Sequence, residues 1–140
     1  MRGLLDTCTL AELRRPEGLA RVKAAVAEIP DSDLYVSVLT VGEIAKGITL
    51  LPAGKKKRAL TTWLNGLEAN FGDRILGIDS ETCRTWGELT ARAQKAGDVI
   101  PAIDGLLAAT AIRYGVHVIT RNTRHFAASG ALIVDPWQES

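Results

Sequence analysis

Three carboxylates and one amide stand where this 140-residue chain could bring them to a common site. Asp6 closes the apolar stretch "GLLD" at 3–6, and Glu43 follows "LYVSVLT" at 34–40. Asp104 lies inside "IPAIDGLLAATAI" at 100–112, and Asn122 follows "VHVIT" at 116–120, with Thr120 and Arg121 just before it. Three acids gathered at one rim repel one another unless a cation lies among them. Hard oxygen donors of this kind suit Mg²⁺ or Mn²⁺, which keep part of their water shell. An ion held in this way activates water and stabilises charge on a phosphodiester, while neighbouring Arg and Lys hold a polyanionic backbone. That chemistry belongs to a nuclease. Zinc chemistry lacks its residues, since the chain has no HExxH and no clustered His or Cys set. It also has neither GxxxxGK[ST] nor GxGxxG, so those two kinds of nucleotide site are unsupported.

Each of these residues also has a local structural reading. Asp6 can cap the helix that follows it, and Asn122 the short turn around Phe126. Thr40 and Glu43 fit the capping box T-x-x-E, in which the glutamate answers a backbone N–H. Asp104 in a first helical turn complements the helix dipole, worth roughly 0.3–1 kcal/mol. In a helix buried on most sides it must instead be paired, neutralised or metal-bound, because an unpaired buried charge costs several kcal/mol or more. The residues alone leave both readings open.

The elements that must position these groups alternate between strand and helix. Strands are expected at 3–6, 34–40, 74–79, 116–120 and 131–136, the last closed by Pro136. Between them run helical stripes: Leu19, Val22, Val26 and Ile29, ended by Pro30; Leu60, Trp63, Leu64, Leu67 and Phe71; Trp86, Leu89 and Ala93; and Ile103, Leu106, Leu107 and Tyr114, opened by Pro101. Gly97 and Gly115 read as helix stops. Alternation without hairpin signals indicates an α/β fold with a five-stranded parallel sheet covered on both faces, as one domain spanning 1–140. Such sheets bind ligands outside the carboxyl ends of their strands.

Composition agrees with a soluble protein, 46% hydrophobic and 24% charged. No apolar run is long enough to span a membrane, and "MRGLLDT" lacks the features of a secretory leader, so a cytoplasmic location is expected. Cys8 and Cys83 are expected to be reduced and partly buried. A net charge of +1 excludes a strongly polycationic binder. It leaves room for a local basic groove from Arg14 and Arg15, "KKKR" at 55–58, and Arg121 with Arg124.

"LLDTCTLAELRRPEG", "SVLTVGEIAKGITLLPAGKKKRALTTWL" and "IPAIDGLLAATAIRYGVHVITRNTRHFAASGALIVDPW" together resemble the PIN-domain family. The likeness is to its VapC/FitB-type toxins of bacterial toxin–antitoxin systems, and it spans nearly the whole chain. It implies a five-stranded parallel sheet and a metal-dependent endoribonuclease using Mg²⁺ or Mn²⁺. The family's acidic positions fall on Asp6, Glu43 and Asp104, its fourth on Asn122, with Asp6 and Asp104 as metal ligands. Thr120, Arg121 and Arg15 are assigned to the RNA, and a homodimer silenced by a cognate antitoxin is expected. Three positions depart from the pattern: Cys8 where asparagine is frequent, Asn122 in place of an acid, and His125 where an acid is common. His125 is read as a surface residue. Two rival readings are a receiver-like domain with Asp79 as phosphoacceptor, and a PIN scaffold that binds without cutting.

Overall fold

Residues that alternate along the strands feed opposite faces of one sheet. In the computed structural model, which describes residues 1–138, the strands are β1 (Gly3–Leu5), β2 (Leu34–Ser37), β3 (Ile75–Leu76), β4 (His117–Ile119) and β5 (Ile133–Val134). They lie in the order β3-β2-β1-β4-β5, and every neighbouring pair is parallel. Leu4, Leu76 and Val118 enter one apolar cluster, and Leu5, Leu34, Val36 and Ile119 the other.

Among the described residues, seven α-helices cover the two faces: α1 (Thr7–Arg14), α2 (Ala20–Ala27), α3 (Val38–Thr49), α4 (Lys55–Phe71), α5 (Ser80–Lys95), α6 (Ala102–Tyr114) and α7 (Thr123–Phe126). Leu89 and Ala93 of α5 and Leu107, Ala108 and Ala111 of α6 pack on the first face. Leu10, Val26, Ile48, Leu64, Leu67 and Phe71, from α1 to α4, pack on the second. None of the helices is long and apolar enough to cross a membrane, among the described residues.

The strands are shorter than the apolar runs suggest, and caps explain two of the differences. The second run turns into α3 after Ser37, whose hydroxyl accepts from the Leu39 N–H at 3.0 Å. The third yields only Ile75–Leu76, because Asp79 caps α5 by accepting from the N–H and hydroxyl of Thr82, each at 2.8 Å. The fifth is confined to Ile133–Val134. Leu19 and Ile103, placed on buried stripes by their spacing, are 51% and 37% exposed. Leu19 is the N-cap of α2, and Ile103 stands in the first turn of α6. Pro101 is the N-cap of α6 rather than a first-turn residue, and Gly115 ends that helix at φ 67°, the left-handed cap expected of it.

Candidate active site

Strand order reverses beside β1. From β1 the chain moves outward to β2 and β3, then returns to lay β4 on the opposite flank. The crevice at the carboxyl ends of β1 and β4 is the place where open α/β sheets take ligands. Asp6 leaves β1 there and Thr120 leaves β4. The Thr120 hydroxyl donates to Asp6 Oδ2. Asp6 Oδ1 accepts from the Thr9 N–H at 3.0 Å and the Thr9 hydroxyl at 2.8 Å, so the residue both caps α1 and faces the crevice. The Cys8 thiol completes this shell, 3.1 and 3.2 Å from the two carboxylate oxygens. Burial, and then the Asp6 charge, raise the Cys8 pKa above its ordinary value. Cys8 is half-buried as expected, whereas Cys83 is exposed, because it lies on the outer side of α5.

Glu43 and Asp104 join this rim through short polar relays. Glu43 Oε1 accepts from the hydroxyl of Thr7, the residue beside Asp6, at 2.9 Å. The capping box expected of Thr40 and Glu43 does not form, because α3 starts at Val38 under the Ser37 cap. Glu43 therefore stands past the first turn, exposed, with no backbone N–H to satisfy. It lines a cleft of about 480 Å³ together with Lys46 and Ile103, the neighbour of Asp104. Asp104 Oδ2 lies 2.8 Å from His125 Nδ1. Asn122 makes no side-chain cap on α7. Its N–H donates to Thr120 Oγ1 at 2.9 Å, and its carbonyl accepts from the His125 N–H at 3.0 Å. A continuous set of bonds thus runs from Asp6 through Thr120, Asn122 and His125 to Asp104.

The donors are the hard oxygens that a divalent cation takes. Among the described residues, though, no group of three or more His, Cys, Asp or Glu side chains is gathered tightly enough to hold one. Each carboxylate is tied instead to a neighbouring hydroxyl, thiol or imidazole.

The basic residues are differently disposed. Arg15 places one guanidinium nitrogen 2.7 and 2.9 Å from the two oxygens of buried Glu12, with about half of its own side chain exposed. The Leu19 N–H and then Arg15 hold the Glu12 pKa below the usual carboxylate range. Arg121 is exposed beside the rim, its guanidinium carbon 5.8 Å from the centre of the Trp137 ring. Of the "KKKR" run, Lys57 reaches back to the carbonyls of Thr49 and Leu51, at 3.5 and 3.2 Å. Asp79 is occupied at the N-cap of α5 and faces Arg113 at 3.5 Å, just after β3, the strand at the sheet edge, away from the β1–β4 crevice. That arrangement removes the basis for reading it as a phosphoacceptor.

The PIN domain family model matches residues 3–131. The chain belongs to the PIN-domain family. This PIN domain is 37% identical over 137 residues to the VapC ribonuclease Y4jK of Sinorhizobium fredii, covering 96% of this chain and 97% of that protein. It is 35% identical to toxin FitB of Neisseria gonorrhoeae, covering 97% and 99%. The crystal structure of FitAcB from Neisseria gonorrhoeae superposes with a TM-score of 0.92 at 35% identity, over 98% of this chain and 99% of that one. The structure of FitAB bound to the IR36 DNA fragment gives a TM-score of 0.93 at 34% identity, over 99% and 97%.

Sequence reasoning reached Asp6, Glu43, Asp104, Thr120 and Asn122 but missed the groups that hold them. Thr7 and Thr9 flank Cys8 in "DTCT", a run of hydroxyls and a thiol directly after a strand-end acid, and that juxtaposition was the available signal. His125, read as a surface residue, is half-exposed but partners Asp104. The pairing depends on how α7 lies against α6, which no local pattern reports.

Proposed function

We propose that this PIN domain is the toxin of a toxin–antitoxin pair and acts as a metal-dependent endoribonuclease. The observation that carries the reading is the bonded series Asp6–Thr120–Asn122–His125–Asp104 at the β1–β4 crevice, with Glu43 tied in through Thr7. A divalent cation, Mg²⁺ or Mn²⁺, held by Asp6 and Asp104 would stabilise phosphodiester charge and make a bound water more acidic. Glu43 keeps one carboxylate oxygen on Thr7 and uses the other to orient an attacking water and take its proton. Thr120 holds Asp6 in register, and the Asn122 amide orients substrate phosphate. Arg121 and the exposed side of Arg15 hold the RNA backbone.

The relatives named as toxins, and the FitAB assemblies, support an antitoxin partner. An apolar groove of about 290 Å³ between α1, α3 and α4 suits it, lined by Ile44, Leu60 and Trp63, with Arg14 and Lys56 at its edge. The groove includes Thr7, so a segment seated there reaches the residue that holds Glu43. A homodimer in the cytoplasm completes the reading.

A second reading, a PIN scaffold that binds without cutting, draws on the loose spacing of the carboxylates. The test is incubation of antitoxin-free protein with bulk RNA and Mg²⁺ or Mn²⁺, beside EDTA and an Asp104→Asn variant. The nuclease reading expects cleavage that requires metal and is lost in the variant. Folded protein that leaves a broad RNA pool intact with both metals favours the scaffold.

A further inference from the structure

Of the three tryptophans, Trp86 packs against the first apolar cluster and Trp63 against the second, but Trp137 belongs to neither. It is held at the edge of the candidate site instead. The Trp137 backbone N–H donates to Asp135 Oδ1 at 2.9 Å, and its backbone carbonyl accepts from Arg21 Nη1, also at 2.9 Å. The same C-terminal segment is tied to the strand end beside it, since the Thr120 N–H donates to the Val134 carbonyl at 3.0 Å. Arg121 follows Thr120, whose hydroxyl holds Asp6, and sets its guanidinium over the half-buried indole at 5.8 Å. That distance is within the range of a cation–π contact. Arg121 also makes a small contribution, after Arg15, to holding the Glu12 pKa down. A cation and an aromatic face, fixed together beside a strand-end carboxylate, match what a single-stranded nucleic acid meets on its binding surfaces.

We propose that Arg121 and Trp137 form a stacking shelf for a nucleobase of single-stranded RNA, next in the chain to Thr120, which holds Asp6. The proposal rests on the ribonuclease reading and names the part of the substrate that this edge takes. A base laid on the indole is held through its π-face, and the guanidinium stacks beside it or meets the adjoining phosphate. Every base has such a face, so the shelf fixes the strand's position without selecting a sequence.

The test is binding in EDTA, where no cleavage intervenes, read by anisotropy of a short labelled single-stranded RNA. A backbone-only probe of the same length, with its bases removed, is run alongside. Wild type is expected to bind the RNA more tightly than the abasic probe. Trp137→Leu keeps apolar bulk but has no π-face, and should weaken RNA binding roughly 5- to 150-fold with little effect on the abasic probe. Trp137→Phe should retain most of the affinity, and thermal melts of both variants establish that they fold. Wild type that binds RNA while Trp137→Leu binds it equally well overturns the shelf alone. Loss on Trp137→Leu that is the same for both probes also overturns it, because the indole would then support the fold or the phosphate contacts. Wild type that binds no RNA overturns the shelf together with the ribonuclease reading.

Discussion

His125 Nδ1 lies 2.8 Å from Asp104 Oδ2, a contact that joins the four-residue helix α7 to the first turn of α6. The Asp104 side chain is 21% exposed and the His125 side chain 50%, so the imidazole orients the carboxylate from the solvent side. On the ribonuclease reading proposed above, His125 acts as a positioning residue, and His125→Ala should differ from loss of the carboxylate itself. Groups that orient a metal-binding side chain typically contribute about 10–100-fold to metal affinity or activity. His125→Ala is expected to weaken Mn²⁺ binding by calorimetry toward the lower end of that range and to slow RNA cleavage in parallel. Asp104→Asn should remove cleavage. If the two variants are equally inactive, His125 acts directly at the reacting atoms.

Thr120 offers a second test, because its hydroxyl both donates to Asp6 and accepts from the Asn122 N–H. The residue is fully buried, so no water replaces the hydroxyl when it is lost. Thr120→Val preserves shape and leaves two polar groups short of a partner, which should lower stability by about 1–3 kcal/mol in denaturant melts. Thr120→Ser keeps both bonds and should lie close to wild type. Cleavage should fall in the valine variant alone, since Asp6 is then held only by Thr9 and Cys8. Equal stability of all three proteins would show that the hydroxyl contributes nothing to the rim.

What the chain discloses by itself divides along the range of the interactions. The alternation that sends Leu4 and Leu5 to opposite faces, the stripe Leu64, Leu67 and Phe71, and the left-handed stop at Gly115 are local patterns, and all are legible. So is the strand-end placement of Asp6. Strand ends are less so: "LYVSVLT" reads as extended through Thr40 because β-branched residues suit both a buried strand and a buried helix start, and the Ser37 cap decides it. Thr7 on Glu43, 36 residues away, and Thr120 on Asp6, 114 residues away, lie beyond any local pattern. They depend on which strands become neighbours. The order β3-β2-β1-β4-β5 settles that.

The two cysteines should separate cleanly under alkylation. Burial and the Asp6 carboxylate raise the Cys8 pKa, which lowers its thiolate fraction at neutral pH, and the thiolate is the nucleophile. Cys83 is exposed. Iodoacetamide at neutral pH should therefore modify Cys83 before Cys8, as followed by peptide mass spectrometry. Asp6→Asn removes the charge that opposes the Cys8 thiolate and should speed labelling of Cys8. Faster labelling of Cys8 than of Cys83 in the native protein would contradict the thiol's position between Asp6 and Thr120.

Asp79 gives the fold a dependence on acid that is separate from the site. Its carboxylate accepts from the Thr82 N–H and hydroxyl and faces Arg113, and these contacts, the Thr82 N–H foremost, lower its pKa. A carboxylate whose pKa is lower in the folded chain stabilises the fold above its unfolded value, about 3.9. That contribution disappears as pH falls through the lower folded value. Asp79→Ala also removes the cap of α5 and should melt a few degrees below wild type near neutral pH. The gap should narrow as the solution is acidified below about pH 4, where wild type too becomes protonated at this position. Thermal melts of the two proteins across that range are the measurement. A gap that stays constant with pH would mean that the uncharged carboxyl caps α5 as well as the carboxylate does, and that neither the Arg113 contact nor the helix dipole adds to it.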